Sequence, residues 1–278
     1  MLRALFRGGL LPTALVTIVS FTSASAQTDG ATVRIVVLKE HGVGSQTLAQ
    51  PYLAKFVAMA RKLNEWPDAA GQYFTSRSAA EAFIQAQKPH YGILSLAAFL
   101  ALREKHHLTV IGEVAASLAG GRQYFLISKR ATDLSGCKGK LLASDHTDDA
   151  RYIDRVVAGG NFKLSDFTLL QTQRPLQTIK KVVSDEAACA LIDDAQRGEL
   201  SHIDGVDGIR TVWSSAELPP MAIVAFPDAP AAERARFQKS LTKVCDADGQ
   251  SACAEVGIVS LKTTDATGYA AVIAAYGK

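Results

Sequence analysis

Short apolar runs alternate with stretches of helical periodicity through the first part of the chain. Val33–Leu38 is a predicted strand, and apolar residues between Tyr52 and Leu63 recur at the spacing of one helix face. Strands that alternate with helices in this way are typical of parallel sheets covered by helices. The same pattern predicts strands over 72–75, 91–95 and 109–115, and helices over 76–86 and 97–104.

A second alternating unit follows the first. Tyr124–Lys129 is a longer apolar run, which we expect to be the strand that ends the first unit. Met221–Phe226, after Pro219 and Pro220, is a strand that returns to that first unit. The second unit has predicted strands over 140–144, 167–171, 189–194 and 209–214 with helices over 148–158 and 175–184, and the chain closes with helices over 231–244 and 265–276.

The two long strands at 123–129 and 221–226 flank the second unit symmetrically. Two crossing strands around an inserted unit predict an α/β fold with two doubly wound lobes joined at a hinge, and a ligand site between the lobes. The first lobe would comprise 27–122 and 221–278, and the second lobe 123–220.

Residues 1–26 have the pattern of a removable leader. Arg3 and Arg7 precede the apolar stretch Leu10–Phe21, and Ala24-Ser25-Ala26 forms a small-residue cleavage signal. The alternative is a retained membrane anchor, but an apolar run of about 12 residues is shorter than the roughly 20 that span a bilayer. We therefore expect export to the periplasm, with cleavage after about Ala26.

Four cysteines follow the leader, and in an oxidising compartment they predict disulfides. Four cysteines allow three pairings. Cys245 and Cys253 flank a turn-forming Asp-Ala-Asp-Gly segment, which favours their pairing, and Cys137 and Cys189 then pair by elimination. A strand order of 2-1-3 in the second lobe would bring Cys137 and Cys189 to the same end of the sheet.

Composition and charge exclude several kinds of partner. The chain is 48% hydrophobic and 21% charged, with a formal net charge of +3, as expected for a globular protein. Without Arg3 and Arg7 the net charge falls to +1. That balance argues against nucleic acid or an anionic membrane as the main partner. We expect a monomer that binds a small molecule.

Polar residues at the ends of the predicted strands are candidate ligand-binding residues, because ligands of parallel sheets bind at the carboxyl ends of the strands. Serines there have an alternative role as helix caps, and Glu81 is placed to form a capping box with Ser78. The candidates are Glu40, His41, Ser45, Ser76, Ser78, Ser95, Tyr124, His146, Thr147, Asp148 and Asp193.

The sequence contains no catalytic signature, and we expect neither an enzyme nor a cofactor. His41 and His146 are the two histidines that we place on opposite walls of the cleft. With Asp148 or Glu40 they could hold a metal ion, but their spacing does not require one, and no metal is expected.

Four segments in order resemble one family. They are FTSRSAAEAFIQAQKPHYGILSLAAFLALRE, YFLISKRATDLSGCKGKLLASD, LQTIKKVVSDEAACALIDD and IRTVWSSAELPPMAIVAFPDAPAAERARFQKSL. Together they resemble the periplasmic substrate-binding proteins of ABC transporters, type II fold, in the phosphate/phosphite/phosphonate-binding branch. The resemblance covers roughly residues 32–276.

The resemblance implies a solute-binding protein that closes two lobes around a small polar ligand, such as a phosphate- or phosphonate-type oxyanion, and delivers it to an ABC permease in the inner membrane. The family places hydroxyl and amide groups at the helix start after the strand matching 140–144. Here that start carries Asp145, Asp148 and Asp149, whose carboxylates would repel an oxyanion. The alternatives are a periplasmic sensor or accessory protein and, third, an enzyme on the same fold.

Overall fold

A computed structural model describes residues 32–41, 46–116, 120–246, 249–255 and 258–278. The leader, its cleavage site and the candidate Ser45 lie outside the described residues. No helix in the described ranges combines the length and the apolar character that a membrane crossing needs.

The first part of the chain builds most of one sheet. Its β1 strand is apolar on both faces and almost wholly buried, as expected for a central parallel strand. The elements in order are β1 (Val33–Leu38), α1 (Gln46–Asn64), β2 (Ala69–Phe74), α2 (Arg77–Gln87), β3 (Tyr91–Leu94), α3 (Leu96–Leu102) and β4 (Thr109–Ala116).

The middle of the chain builds a second sheet. Its α4 helix is a single turn that continues as a π-helix over Ile153–Val157, and 3₁₀ turns occupy Leu164–Asp166 and Leu200–His202. The elements in order are β5 (Tyr124–Ser128), β6 (Leu141–Ser144), α4 (Ala150–Tyr152), β7 (Thr168–Gln171), α5 (Pro175–Val183), β8 (Cys189–Asp193), α6 (Asp194–Gly198) and β9 (Arg210–Ser214).

The last part of the chain returns to the first sheet. A 3₁₀ turn over Ala266–Tyr269 leads into the final helix. The elements are β10 (Met221–Ala225), α7 (Ala231–Val244), α8 (Gln250–Glu255), β11 (Ile258–Lys262) and α9 (Ala270–Gly277).

The two sheets have related topologies. The first has the order β11-β4-β10-β3-β1-β2 and the second β7-β6-β8-β5-β9. In the second sheet β6 is parallel to β7 and β8, which is the predicted 2-1-3 arrangement. The first sheet contains the same arrangement, since β1 is parallel to β2 and β3. In each sheet an antiparallel strand, β10 or β5, pairs with the third of these parallel strands.

Two segments connect the sheets and lie side by side. We call them the crossing segments; their described parts are residues 120–123 and 215–220. The Leu218 amide donates to the Arg122 carbonyl at 2.7 Å, and the Ser215 amide donates to the Tyr124 carbonyl at 2.8 Å. The Asp194 carboxylate accepts from the amides of Arg122 and Gln123. The crossing segments are therefore held to each other and to the start of α6.

Both predicted disulfides are confirmed. Cys137 and Cys189 are bonded with their Cα atoms 5.9 Å apart, because Cys137 precedes β6 and Cys189 opens the neighbouring β8. Cys245 and Cys253 are bonded across eight residues of sequence, with a Cα separation of 5.6 Å.

Some local predictions were wrong. The strand at 124–129 does not end the first unit, because β5 pairs with β8 and β9 of the second sheet. Of the two predicted alternatives for the α2 cap, Ser76 and Ser78, Ser76 is the cap. The predicted capping box is absent, since Glu81 pairs with Lys105.

Candidate functional site

A large cleft opens between the carboxyl ends of the parallel strands of the two sheets. Its volume is about 1380 Å³. Residues after β1 and β2 line one wall, and residues after β6, β7 and β8 line the other. Ligands of parallel α/β sheets bind at such strand ends. The cleft therefore lies where the sequence places a ligand site.

Arg77 joins the two walls at the cleft. Its Nε and Nη2 atoms donate to the two Glu40 oxygens at 2.7 and 3.0 Å, and Nη1 donates to Asp149 Oδ2 at 2.9 Å. Burial lowers the pKa of Arg77, but its hydrogen bonds to Glu40 and Asp149 outweigh burial and raise the pKa above the ordinary value. Both oxygens of the candidate Glu40 are thus engaged by Arg77.

His41 and His146 meet across the boundary between the walls, as predicted. Their ring centroids are 4.7 Å apart with an edge-on geometry. Burial, with the nearby His146 and Arg77, lowers the pKa of His41 to about 4, although Asp145 opposes that shift. His41 is therefore neutral at pH 7.

Gln196 determines the tautomer of His146. Its Oε1 accepts from the Asp193 amide, and its Nε2 donates to Asp145 Oδ1, both at 2.9 Å. That orientation presents Oε1 to His146 Nε2 at 2.9 Å. His146 Nε2 must therefore carry the hydrogen.

A second, smaller cavity of about 40 Å³ is lined in part by the crossing segments, through Gly120, Arg122 and Pro219. Glu40 and His41 line both cavities. Ser95, Tyr124, His146 and Asp193 face the small cavity together with Lys39. The small cavity is therefore bounded by both sheets, like the large one.

Burial dominates the electrostatics of this small cavity. It raises the pKa of Asp193, a shift that the nearby His146 opposes. It also raises the pKa of Tyr124 well above its ordinary value and lowers the pKa of Lys39. Asp193 Oδ1 caps α6 by accepting from the Gln196 amide at 2.9 Å, and Asp193 Oδ2 lies 3.9 Å from His146 Nε2.

Side chains of this protein occupy several helix starts at the cleft. Asp149 caps α4 by accepting from the Tyr152 amide at 2.9 Å. Ser76 and Ser95 accept from amides of α2 and α3, as their capping role predicts. The Ser95 hydroxyl also donates to Glu40 Oε2 at 3.4 Å. The helix start that the family resemblance assigns to an oxyanion is thus filled by a carboxylate.

The structure brings most of the predicted site residues together. Ser76, Ser78 and Asp148 line the large cleft, where Asp148 accepts a hydrogen bond from Gln171. Thr147 lines neither cavity. In the part of the chain that the structure describes, no three His, Cys, Asp or Glu side chains form a group that could hold a metal ion.

Three site residues were missing from the sequence-based candidates: Lys39, Arg77 and Asp149. Lys39 directly precedes Glu40 after β1, and Arg77 stands between Ser76 and Ser78. Their positions at strand ends were the available signal. Which partners their side chains reach depends on the opposite lobe, and strand periodicity carries no information about that.

Comparisons with solved structures identify the architecture. The chain is similar to the binding-protein component of an ABC phosphonate transporter from Pseudomonas aeruginosa, with a TM-score of 0.63 and 12% identity over 86% of this chain and 83% of that one. The chain has the type II periplasmic-binding-protein fold. No protein-family model and no curated protein matches the chain.

Two further structures share this fold. A Xanthomonas citri protein bound to ATP has a TM-score of 0.69 at 12% identity, covering 88% of this chain and 96% of that one. PhnD1 from Prochlorococcus marinus, in complex with methylphosphonate, has a TM-score of 0.65 at 9% identity, covering 87% and 95%. At such identities the likeness concerns the fold.

Proposed function

We propose that this protein is a periplasmic solute-binding protein that captures a small polar ligand between two lobes and delivers it to an ABC permease in the inner membrane. One observation carries the proposal: strand ends of both sheets line a single cleft of about 1380 Å³. A ligand in that cleft would touch both lobes, so its binding would favour the closed arrangement.

The proposed lobes follow from the sheet to which each strand belongs. Residues 27–122 and 221–278 would form the first lobe, and residues 123–220 the second. Every described strand of the first sheet lies in the first set, and every described strand of the second sheet lies in 123–220. The paired segments at Arg122 and Leu218 would act as the hinge.

The proposed role is binding rather than catalysis. Solved neighbours with this fold include a binding-protein component of an ABC phosphonate transporter and a periplasmic aliphatic sulfonate binding protein, which favours transport over a sensor or accessory role. Their names, with the ATP and methylphosphonate complexes, define a ligand panel for this protein. The basic and apolar leader with its Ala24-Ser25-Ala26 signal supports a periplasmic location.

Thermal-shift screening of the exported protein tests the proposal. The panel is inorganic phosphate, methylphosphonate, an aliphatic sulfonate, ATP and L-glutamate. A ligand at about 100 times its Kd adds about 2.7 kcal/mol of stability, which raises the Tm of a protein of this size by about 5–10 °C. We expect a saturable rise for one chemical class. A panel that leaves the Tm unchanged would contradict the proposal.

A paired substitution connects the binding to the cleft. Ala195 lines the large cleft, so the indole of Ala195→Trp would occupy ligand space. Ala235 is exposed on α7, outside the cleft lining, and Ala235→Trp is the control. Loss of the ligand-induced Tm rise in Ala195→Trp alone is expected, and an equal rise in both variants would place the ligand elsewhere.

A further inference from the structure

Lys39 is a cationic side chain that the site geometry leaves without a partner. It follows β1 directly and lines the small cavity. Its ammonium makes no hydrogen bond, and no ion pair within 4.0 Å, with any residue in the described ranges. The two arginines nearby differ: Arg77 is bound by Glu40 and Asp149, and Arg122 is bound by Glu217 and the Leu218 carbonyl.

The acidic groups near Lys39 are committed to other donors. Asp194 accepts from the amides of Arg122 and Gln123, and Asp193 caps α6. Burial lowers the pKa of Lys39, and the more distant charges of Asp193 and Asp194 offset that effect in part. The surroundings therefore leave the half-buried ammonium of Lys39 short of stabilising charge, which an anion in the cavity would supply.

The cavity has room for one small chemical group. A volume of about 40 Å³ corresponds to roughly three water molecules, at about 10–15 Å³ each. Ser95 and Tyr124 bring hydroxyl groups to the same lining. The Ser95 hydroxyl already donates to Glu40, and the Tyr124 hydroxyl is hydrogen-bonded to Tyr152. The free donor is therefore the Lys39 ammonium, which matches the acceptor oxygens of a carboxylate, phosphonate or sulfonate head group.

We propose that Lys39 is a ligand-binding residue whose ammonium receives the anionic head group of the solute in the small cavity, while the remainder of the solute extends into the large cleft. This inference rests on the proposed solute-binding function. The family resemblance places the anion at the start of α4, but Asp149 caps that helix here. The proposed anion site is instead Lys39, at the end of β1.

Calorimetric titration of the exported protein tests the role of Lys39. The probes are inorganic phosphate, methylphosphonate, methanesulfonate and acetate, which separate the possible head groups. Lys39→Met removes the charge with little change of shape, and Lys39→Arg retains it. Since a hydrogen bond to a charged group contributes about 1.5–3 kcal/mol, Lys39→Met should weaken binding about 10- to 100-fold. Lys39→Arg should weaken it less.

Lys239→Met is the matched control, because Lys239 is exposed on α7 and lines neither cavity. It should bind as the wild type does. A second readout covers the case in which Lys39→Met fails to fold. In wild-type protein with ¹³C-dimethylated lysines, the bound anion should shift the Lys39 resonance and raise its pKa, and Lys39→Arg identifies that resonance by its absence.

The outcomes separate this inference from the function on which it rests. Wild-type binding that Lys39→Met does not weaken, with no response of the Lys39 resonance, overturns the inference and leaves solute binding intact. The same holds if the wild type binds none of the four anions but binds another ligand in the cleft. If no ligand of any class binds, both proposals are wrong.

Discussion

His41 combines an unusual backbone conformation with a buried ring. Its φ angle is 59°, in the left-handed region that a few per cent of non-glycine residues adopt, among which asparagine, aspartate and histidine are enriched. The conformation places the ring edge-on to His146 of the other sheet. The neutral form is favoured there, since burial, with the nearby His146 and Arg77, lowers the pKa of His41 to about 4.

The low pKa of His41 predicts a pH-dependent stability. Between pH 6.5 and about 4 the unfolded chain binds a proton that the folded protein excludes. The stabilisation is therefore complete above pH 6.5 and is lost as the pH falls towards 4, with a total on the order of 3 kcal/mol. Urea unfolding across this range should show the decrease.

His41→Asn tests the origin of that decrease, because asparagine tolerates a positive φ and does not titrate. The variant should show a shallower dependence of the free energy of unfolding on pH. His106, whose pKa burial also lowers, should account for part of the slope that remains. An unchanged slope in His41→Asn would show that His41 does not titrate as described.

Gly120 and Gly121 provide a matched pair in a crossing segment. Both have positive φ angles, 71° and 80°, so an alanine at either position carries similar backbone strain. A Cβ on Gly120 would lie 2.2 Å from Asp193 Oδ2. Among the described residues, a Cβ on Gly121 would have only the Tyr124 hydroxyl within 4 Å, at 3.7 Å.

Gly120→Ala should therefore destabilise the protein more than Gly121→Ala. Both lose about 1 kcal/mol or more through backbone strain, and Gly120→Ala must in addition displace the carboxylate that caps α6. Chemical denaturation of the two variants measures the difference. Equal losses of unfolding free energy would mean that the Asp193 carboxylate moves away from the added methyl group without destabilising the protein.

At the scale of elements, the two disulfides differ mainly in the length of the loop that they close. The Cys137–Cys189 bond spans 52 residues and joins the turn before β6 to the start of the neighbouring β8, and the Cys245–Cys253 bond spans 8. Loop-closure entropy gives about 4 kcal/mol for the long loop and about 2.5 kcal/mol for the short one.

Removing the long disulfide should thus cost more than removing the short one. The double variant Cys137→Ala/Cys189→Ala should lose about 1.5 kcal/mol more stability than Cys245→Ala/Cys253→Ala. Alanine is chosen rather than serine because Cys137 and Cys189 are fully buried, and a serine there would bury a hydroxyl group. Urea titration of both variants decides the order, and a larger loss for the short loop would contradict the entropic explanation.

The elements that the sequence predicted well have a strong apolar pattern. The β1 strand and the α7 helix begin and end at the predicted residues. The α8 helix and β11 strand were not predicted, because β11 buries few of its residues and its pattern is weak. The predicted helix over 148–158 became one α-turn and a π-helix.

The site was predictable where the strand ends alone determine a position. His41, Ser95 and His146 follow parallel strands and Asp193 ends one, so the 2-1-3 order brings all four to the small cavity. Long cationic side chains were not predictable in the same way. Arg77 reaches Asp149 at a sequence separation of 72 residues, and only the packing of the two sheets reveals that contact.

At the scale of the whole molecule, protein contacts hold the two sheets together across the cleft. Asp149, at the start of α4, accepts from Arg77 and from the Tyr276 hydroxyl, the latter at 3.1 Å. The α9 helix carries Tyr276 from the last part of the chain, and Arg151 stacks over its ring at 5.0 Å. Asp149 therefore links the start of α4 to α2 through Arg77 and to α9 through Tyr276.

Asp149→Ser should selectively weaken the contact between the two sheets that Arg77 and Asp149 form. Serine retains the helix-capping acceptor but removes the charge that Arg77 binds. Without ligand, small-angle scattering should show a larger radius of gyration for the variant than for the wild type, and ligand should restore the compact form. An unchanged radius would mean that other contacts suffice for closure.

Solute binding between the lobes is tested most directly by one measurement. It is a crystal structure of this protein in complex with the ligand that raises its Tm most. The ligand is expected between the two sheets, in contact with residues after β1 or β3 on one side and after β6 or β8 on the other. A ligand that contacts one sheet only, or that binds outside the cleft, would contradict the account.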